Sequence, residues 1–328
     1  MKAVVLGAGA WGTALALTLV RNGIPTTLCA RRAAHLATLA RTRENHAYLP
    51  GVPLPPDLKL TDRWDAALED AQLIVMAVPS SFARAAVAPL KESIPPNSIM
   101  VSVSKGVEQD TLLTMSRMLI EVKPGARVAV LAGPGFAAEI ARGKPAALVA
   151  GAHDEALAGE LQRLFATPSL RIYRSGDTLG VEIAGAVKNV IAIAAGISDG
   201  LELGLSARAA LISRGLAEIT RLAVAAGARR ETVAGLAGLG DLILTCTGEL
   251  SRNRTLGLRL AAGQPLRLEQ AGTPVAEGVA NARAIKHMGE QFGVEMPIVT
   301  AVYRVLYEGA PANAMVTELL SRGLKAEF

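Results

Sequence analysis

Short uncharged runs, rich in Val, Ile, Leu and Ala, recur through the first half of the chain between glycine, proline and polar stretches. They are Val4-Val5-Leu6, Thr26–Cys29, Leu73–Val78, Ile99–Val103, Val128–Leu131 and Ala147–Val149, and a final strand-like piece, Leu170–Tyr173, carries Arg171. Runs of this length without polar alternation predict strands buried on both faces. Between several of them lie helix-like stretches at Thr13–Val20, Ser81–Leu90, Thr111–Glu121 and Phe136–Ala141, with turns marked by Leu49-Pro50-Gly51, Pro55-Pro56 and Pro95-Pro96. Strand and helix in alternation predict an α/β unit, a parallel doubly wound sheet with helices on both faces.

From Thr178 the pattern changes to a helical period. Ile212, Leu216, Ile219 and Ala223 share one face of a predicted helix, with Arg214, Glu218 and Arg221 on the other. The expected organisation is an α/β domain over 1–175 and an all-α domain over 176–328. One segment tests that plan, because Ala3–Val20 carries no charge and is long enough for a membrane span or signal sequence. Its interior reads instead as strand, glycine turn and helix, ended by Asn22-Gly23, so no stable membrane insertion is expected.

Composition narrows the chemistry. The 328 residues are 51% hydrophobic but only 3% aromatic, so the core is aliphatic, and disorder is excluded. A formal charge of +5, spread along the chain, suits small anionic ligands and gives no nucleic-acid surface. Four dispersed histidines and two cysteines, Cys29 and Cys246, form no metal-binding spacing and no disulfide framework. No metal is expected, and a reducing, cytoplasmic setting is.

Gly7-Ala8-Gly9-Ala10-Trp11-Gly12 follows the first strand and opens the first helix. This G-x-G-x-x-G spacing gives a tight turn, an open approach for a pyrophosphate and close helix packing, as in a Rossmann-like fold. After the second strand stand Ala30-Arg31-Arg32, with no acid before Glu44. Two guanidiniums there favour a 2′-phosphate, hence NADP over NAD, unless they belong to an ordinary basic loop. Lys188 is the only charge between Glu182 and Asp199, with Ala184, Gly185, Ile191 and Ala192 as its helical neighbours. Such a lysine either snorkels at a boundary or serves as a general acid/base with a lowered pKa. Lys105 follows a predicted strand end, where ligands of open sheets bind. Gly133-Pro134-Gly135-Phe136 repeats that setting. Gly238–Gly248, with Asp241 and Thr245, and then Ser251-Arg252-Asn253-Arg254 supply an acid, hydroxyls, an amide and guanidiniums suited to a phosphorylated substrate.

These stretches resemble bacterial-type NAD(P)-dependent glycerol-3-phosphate dehydrogenase along nearly the whole chain. The resemblance is carried by 7–16, 45–51 (NHAYLPG), 77–80, 104–106, 131–149, 180–201, 238–248, 250–254 and 275–279 in that order. It implies reversible hydride transfer between dihydroxyacetone phosphate and sn-glycerol 3-phosphate, feeding glycerophospholipid synthesis. Position by position, it implies Lys188 as proton donor and acceptor, Lys105 beside substrate and nicotinamide, and Asp241 and Thr245 at the reacting centre. Asn189, Ser251, Arg252 and Asn253, with the Gly133 and Gly135 backbone, would hold the substrate. Trp11, Arg31, Arg32, His46, Ala137, Arg252, Val275 and Glu277 would join Gly7, Gly9, Ala10 and Gly12 at the cofactor. Family members commonly carry a hydroxyl residue where this chain has Gly135, so only a backbone role is expected there. The helical domain is expected to offer a homodimer face. Two other classes fit the same plan: a hydroxyacid or ketopantoate reductase, which has no need of the 250–254 cluster, and a non-catalytic NADP sensor.

Overall fold

The structure, a computed structural model, describes residues 1–264, 276–324 and 326–327. The first half alternates as its hydrophobic pattern predicts. In order it forms β1 (Ala3–Leu6), α1 (Ala10–Arg21), β2 (Thr26–Cys29), α2 (Ala33–Thr42), β3 (Glu44–Asn45), β4 (Leu49–Pro53), β5 (Lys59–Thr61), α3 (Trp64–Leu68), β6 (Leu73–Met76) and α4 (Ser80–Val87). After a 3-10 turn come β7 (Ile99–Ser102), α5 (Met115–Val122), β8 (Arg127–Ala132), α6 (Ala137–Ala141), β9 (Ala146–Gly151), α7 (Glu155–Phe165) and β10 (Leu170–Ser175). Eight of these strands make one sheet in the order β10-β9-β8-β7-β6-β1-β2-β5, while β3 and β4 pair as a small separate ribbon. Strands β1, β2, β6 and β7 are buried throughout, which explains why no charge interrupts their sequences.

The sheet departs from the expected all-parallel form at one place. β9 runs antiparallel to β8, and β10 then runs parallel to β9. The connection contains only the five-residue α6. Such a helix advances about 7.5 Å, too little to return the chain along a six-residue strand of about 20 Å. The chain therefore re-enters the sheet from the end at which it left. The polar strand β5 and the β3–β4 ribbon carry no apolar run, so hydrophobicity alone does not mark them. The helix expected at Thr111–Glu121 starts later, at Met115, because Val107–Thr114 closes a bridged loop with Leu112 at φ +57°.

β1 has β2 on one side and β6 on the other, and the order of strands reverses between them. The carboxyl ends of β1 and β6 thus open the crevice typical of doubly wound sheets. The two turns touch: a Cβ on Gly7 would lie 2.5 Å from the Ala77 carbonyl oxygen.

The second half is helical among the described residues. α8 (Thr178–Gly200) is buried along most of its length and is ringed by α9 (Gly204–Ala225), α10 (Arg230–Ala234), α11 (Asp241–Thr247), α12 (Arg252–Ala261), α13 (Glu277–Gln291) and α14 (Pro297–Tyr307), with α15 (Ala312–Leu320) outside. Among the described residues α8 is the one helix long and apolar enough to cross a membrane, and 94% of its apolar window is packed inside the protein. The uncharged Ala3–Val20 segment divides into β1, the glycine turn and α1. Small residues set the closest helix pair: a Cβ on Gly196 of α8 would fall 2.0 Å from the Arg254 carbonyl oxygen of α12.

Glu218 differs from its expected place on the polar face of α9. It is 1% exposed, and its carboxylate accepts the Ile298 and Val299 backbone N–H groups at 2.7 and 3.3 Å. Those donors open α14 and have no intrahelical acceptor, so a charged side chain is drawn into the core to serve them.

Candidate active site

Three elements bring the candidate chemistry together. Lys188 projects from the middle of α8 and is 4% exposed. Asp241 begins α11 after a π-helical turn at Leu236–Gly240, and Thr245 follows one turn later on the same side. Lys105 arrives on the loop after β7. The Asp241 carboxylate bridges the two lysines: Oδ1 lies 2.6 Å from Lys188 Nζ and Oδ2 lies 2.8 Å from Lys105 Nζ. Lys188 Nζ also donates to Thr245 Oγ1 at 2.7 Å, and that hydroxyl donates in turn to the Asp241 carbonyl at 2.6 Å. Lys105 Nζ reaches the Gly133 carbonyl oxygen at 3.2 Å.

The cluster holds two ammoniums against one carboxylate in a largely dry place. Burial lowers the Lys188 pKa from its ordinary value to about 7; Asp241 opposes that shift and the Lys105 cation adds to it. This is no snorkelling lysine.

Beside the cluster stands the N-terminus of α12. Ser251 caps it, its Oγ accepting the Arg254 N–H at 3.3 Å, which leaves the N–H groups of Arg252 and Asn253 without intrahelical acceptors. The exposed Arg252 side chain lines the same crevice. Asn253 is more committed: its Nδ2 donates to Asn189 Oδ1 and its Oδ1 accepts the Gly278 N–H, both at 3.0 Å. Asn189 Nδ2 donates to the Lys105 carbonyl at 3.2 Å. These two amides therefore tie α8, α12 and α13 together around the site. Arg254 turns away, pairing with Asp199 at 2.7 Å, and Asp199 also holds Arg208.

A crevice of about 730 Å³ runs from this cluster to the glycine turn. It is lined by Gly7, Gly9, Ala10, Trp11 and Gly12, by Arg31 and Arg32, and by Ala137, Arg252 and Glu277. The turn fits a dinucleotide pyrophosphate. Gly7 has φ +113°, a Cβ at Gly12 would strike the Gly7 carbonyl at 2.0 Å, and a Cβ at Gly9 would meet open space. No side chain caps the start of α1, so its N–H groups and positive dipole end remain available to phosphate. Trp11 Nε1 is buried without a partner, and the Trp11 ring lies under Lys105 Nζ at 5.6 Å from its centroid. Glu277 stands at the start of α13, its pKa raised by burial against the opposing charges of Arg252, Lys105 and Lys188.

Several expected residues sit differently. His46 is exposed and pairs with Glu44 at 2.8 Å, outside the crevice lining. His35 and Tyr48 line it instead, and sequence reading missed both. Arg32 Nη2 donates to the Tyr48 hydroxyl at 2.8 Å, and the His35 ring meets Tyr48 edge-on at 5.3 Å. Tyr48 lies two residues beyond His46 in the same NHAYLPG stretch, so the motif was the available signal. At Gly135 a Cβ would lie 2.8 Å from Ile140 Cδ1, so in this chain a neighbour's side chain takes the space that a larger residue needs. Val275 lies outside the described residues.

The glycine turn at the sheet's switch point, facing a buried lysine from a helical domain, places the protein among two-domain nicotinamide-dependent oxidoreductases. The N-terminal model of NAD-dependent glycerol-3-phosphate dehydrogenase matches residues 2–158, and the C-terminal model matches 177–317. The chain is 49% identical over 332 residues to the glycerol-3-phosphate dehydrogenase [NAD(P)+] of Anaeromyxobacter sp. (strain K), covering 100% of both chains. It is 51% identical over 333 residues to that of Thiobacillus denitrificans, again covering 100% of both. The crystal structure of glycerol-3-phosphate dehydrogenase from Coxiella burnetii superposes with a TM-score of 0.93 at 36% identity, covering 98% of this chain and 99% of that one. The chain belongs to the NAD-dependent glycerol-3-phosphate dehydrogenase family.

Proposed function

We propose that the protein interconverts dihydroxyacetone phosphate and sn-glycerol 3-phosphate, with NADPH preferred and NADH accepted, and with Lys188 as general acid/base. The observation that carries this reading is the Asp241 carboxylate bridging Lys188 and Lys105 beside the N-terminus of α12. When bound, the nicotinamide cofactor supplies the hydride that adds to C2 of the ketone. Negative charge then grows on the carbonyl oxygen, and the Lys188 ammonium stabilises it and gives up a proton. An ammonium has three N–H groups. Asp241 and Thr245 take two of them, leaving one to aim at substrate. In the reverse direction the neutral amine takes the hydroxyl proton, and a pKa lowered by burial makes that form accessible.

Lys105 adds a second positive charge beside the reacting oxygen. Ser251, Arg252 and Asn253 hold the substrate phosphate, with the Gly133 and Gly135 backbone and Asn189 completing the pocket. Binding energy from that remote phosphate orients the ketone. Gly7, Gly9, Ala10, Trp11, Gly12, Ala137, Glu277 and Val275 serve the cofactor, with Arg31 and Arg32 for its 2′-phosphate. His46, exposed and paired with Glu44 outside the crevice lining, would act only at the edge of that site. On this reading residues 1–175 bind cofactor and 176–328 bind substrate, the protein works in the cytoplasm, and its product supplies phospholipid synthesis. The helical domain provides the face for a homodimer.

The test is the fall in nicotinamide absorbance when dihydroxyacetone phosphate is added to NADPH and, separately, NADH. Faster turnover of a non-phosphorylated keto acid, or cofactor binding with no ketone reduced, would overturn the assignment.

A further inference from the structure

Behind the lysine pair lies a carboxamide that none of the roles above uses. Asn281, on α13, is 0% exposed. Its Nδ2 donates to the Lys105 backbone carbonyl at 2.8 Å and to the Ala186 carbonyl of α8 at 3.1 Å. The two acceptors settle the amide's orientation, since the flipped form would turn its oxygen onto two carbonyls. Asn189 reaches the same Lys105 carbonyl from α8, so two helices grip one peptide. Asn281 Oδ1, by contrast, is buried and has no partner. It faces Gly106, where a Cβ would lie 2.5 Å from it and 2.2 Å from Ser80 Oγ. An unsatisfied buried acceptor works against stability, which points to a side chain kept for geometry.

We propose that Asn281 is a positioning residue that pins the Lys105 peptide to α8 and so sets the Lys105 ammonium against Asp241, fixing the charge beside Lys188. The inference rests on the reading of Lys188 as the acid/base. Asp241 and Lys105 face Lys188 directly, and Glu277 and Cys246 are the further titratable groups in its field. If Lys105 swings away, Lys188 loses a neighbouring cation and keeps Asp241. Its proton is then held more tightly.

The Asn281→Ala protein should fold with a kcat for dihydroxyacetone phosphate reduction lowered by up to about 10²-fold, the scale of an ångström's misplacement. Its KM for NADPH should stay unchanged, and its pH–rate limb should move to higher pH. A readout independent of turnover is the pH dependence of Lys188 reductive methylation by formaldehyde and borohydride, mapped by peptide mass. Its midpoint should also move to higher pH. Gly106→Ala presses on the same carboxamide from the opposite side and should shift that midpoint the same way. Should Asn281→Ala fail to fold, Asn281→Ser, which keeps one hydroxyl donor, carries the comparison. A wild-type protein without turnover of this ketone defeats the proposed reaction alone, and the methylation midpoint still decides the positioning. A folded variant with an unmoved midpoint overturns the proposal.

Discussion

At the residue scale the site turns on one buried amine. Lys188 sits among aliphatic neighbours with a carboxylate at 2.6 Å and a second ammonium sharing that carboxylate. Lys188→Ala should lower kcat by roughly 10² to 10⁴, the range for losing a general acid/base, and near-normal turnover would contradict its role. The pH dependence has a fixed sign. With Lys188 as the proposed acid/base, ketone reduction needs the ammonium, so its rate should fall as pH rises through the lowered Lys188 pKa, whereas alcohol oxidation should rise through the same region. Measuring both directions across that range checks it. Arg252→Ala should raise the KM for dihydroxyacetone phosphate, with a smaller rise for cofactor, because this side chain lines the crevice beside the free N–H groups of α12. Unchanged values for both ligands would remove it from the phosphate site.

Among the elements, the proposed substrate site depends on how closely α12 approaches α8. Gly196 and Gly257 make that approach: a Cβ on Gly257 would lie 2.1 Å from the Ile193 carbonyl oxygen. Gly196→Ala should therefore destabilise the protein by roughly 1–3 kcal/mol, as overpacking does. It should also raise the substrate KM by pushing the α12 N-terminus away from Lys188; thermal unfolding and kinetics together separate the two effects. Elements also show what sequence legibility depends on. β1 and β6 were readable because burial on both faces leaves an unbroken apolar run. β5 was not, because an edge strand needs only backbone partners. The reversal at β9 was hidden because strand direction follows from the reach of α6, which no residue pattern reports.

Across the whole molecule, two buried carboxylates brace the helical half. Glu182 accepts the Ser116 N–H at 2.8 Å across to α5, and Glu218 caps α14. Burial raises the pKa of both. For Glu218 the native value is about 7 against 4.5 for the free group. The native state then keeps the proton longer than the unfolded chain does, so the stability this group contributes falls as pH rises from about 4.5 to about 7. Glu218→Gln removes that titration. Its melting temperature relative to wild type should become more favourable as pH rises across the window; a constant difference would show that Glu218 does not titrate there.

The glycine turn, the strands beside it and the anomalous place of Lys188 are legible in the chain alone, because each is written in local spacing: three glycines at fixed offsets, a short uncharged run, or a charge where none belongs. Tertiary structure decided which polar groups meet. Asp241 lies 53 positions after Lys188 and 136 after Lys105, yet one carboxylate joins them. Arg254 and Arg252 are two residues apart, yet one is locked to Asp199 and the other faces the crevice. Glu218 carries a surface residue's sequence signature and ends in the core, because two backbone donors of α14 wait there. Hydrogen bonds and ion pairs act over a few ångströms in space and take no account of separation along the chain. Their partners are therefore fixed only when helices from distant stretches pack into place.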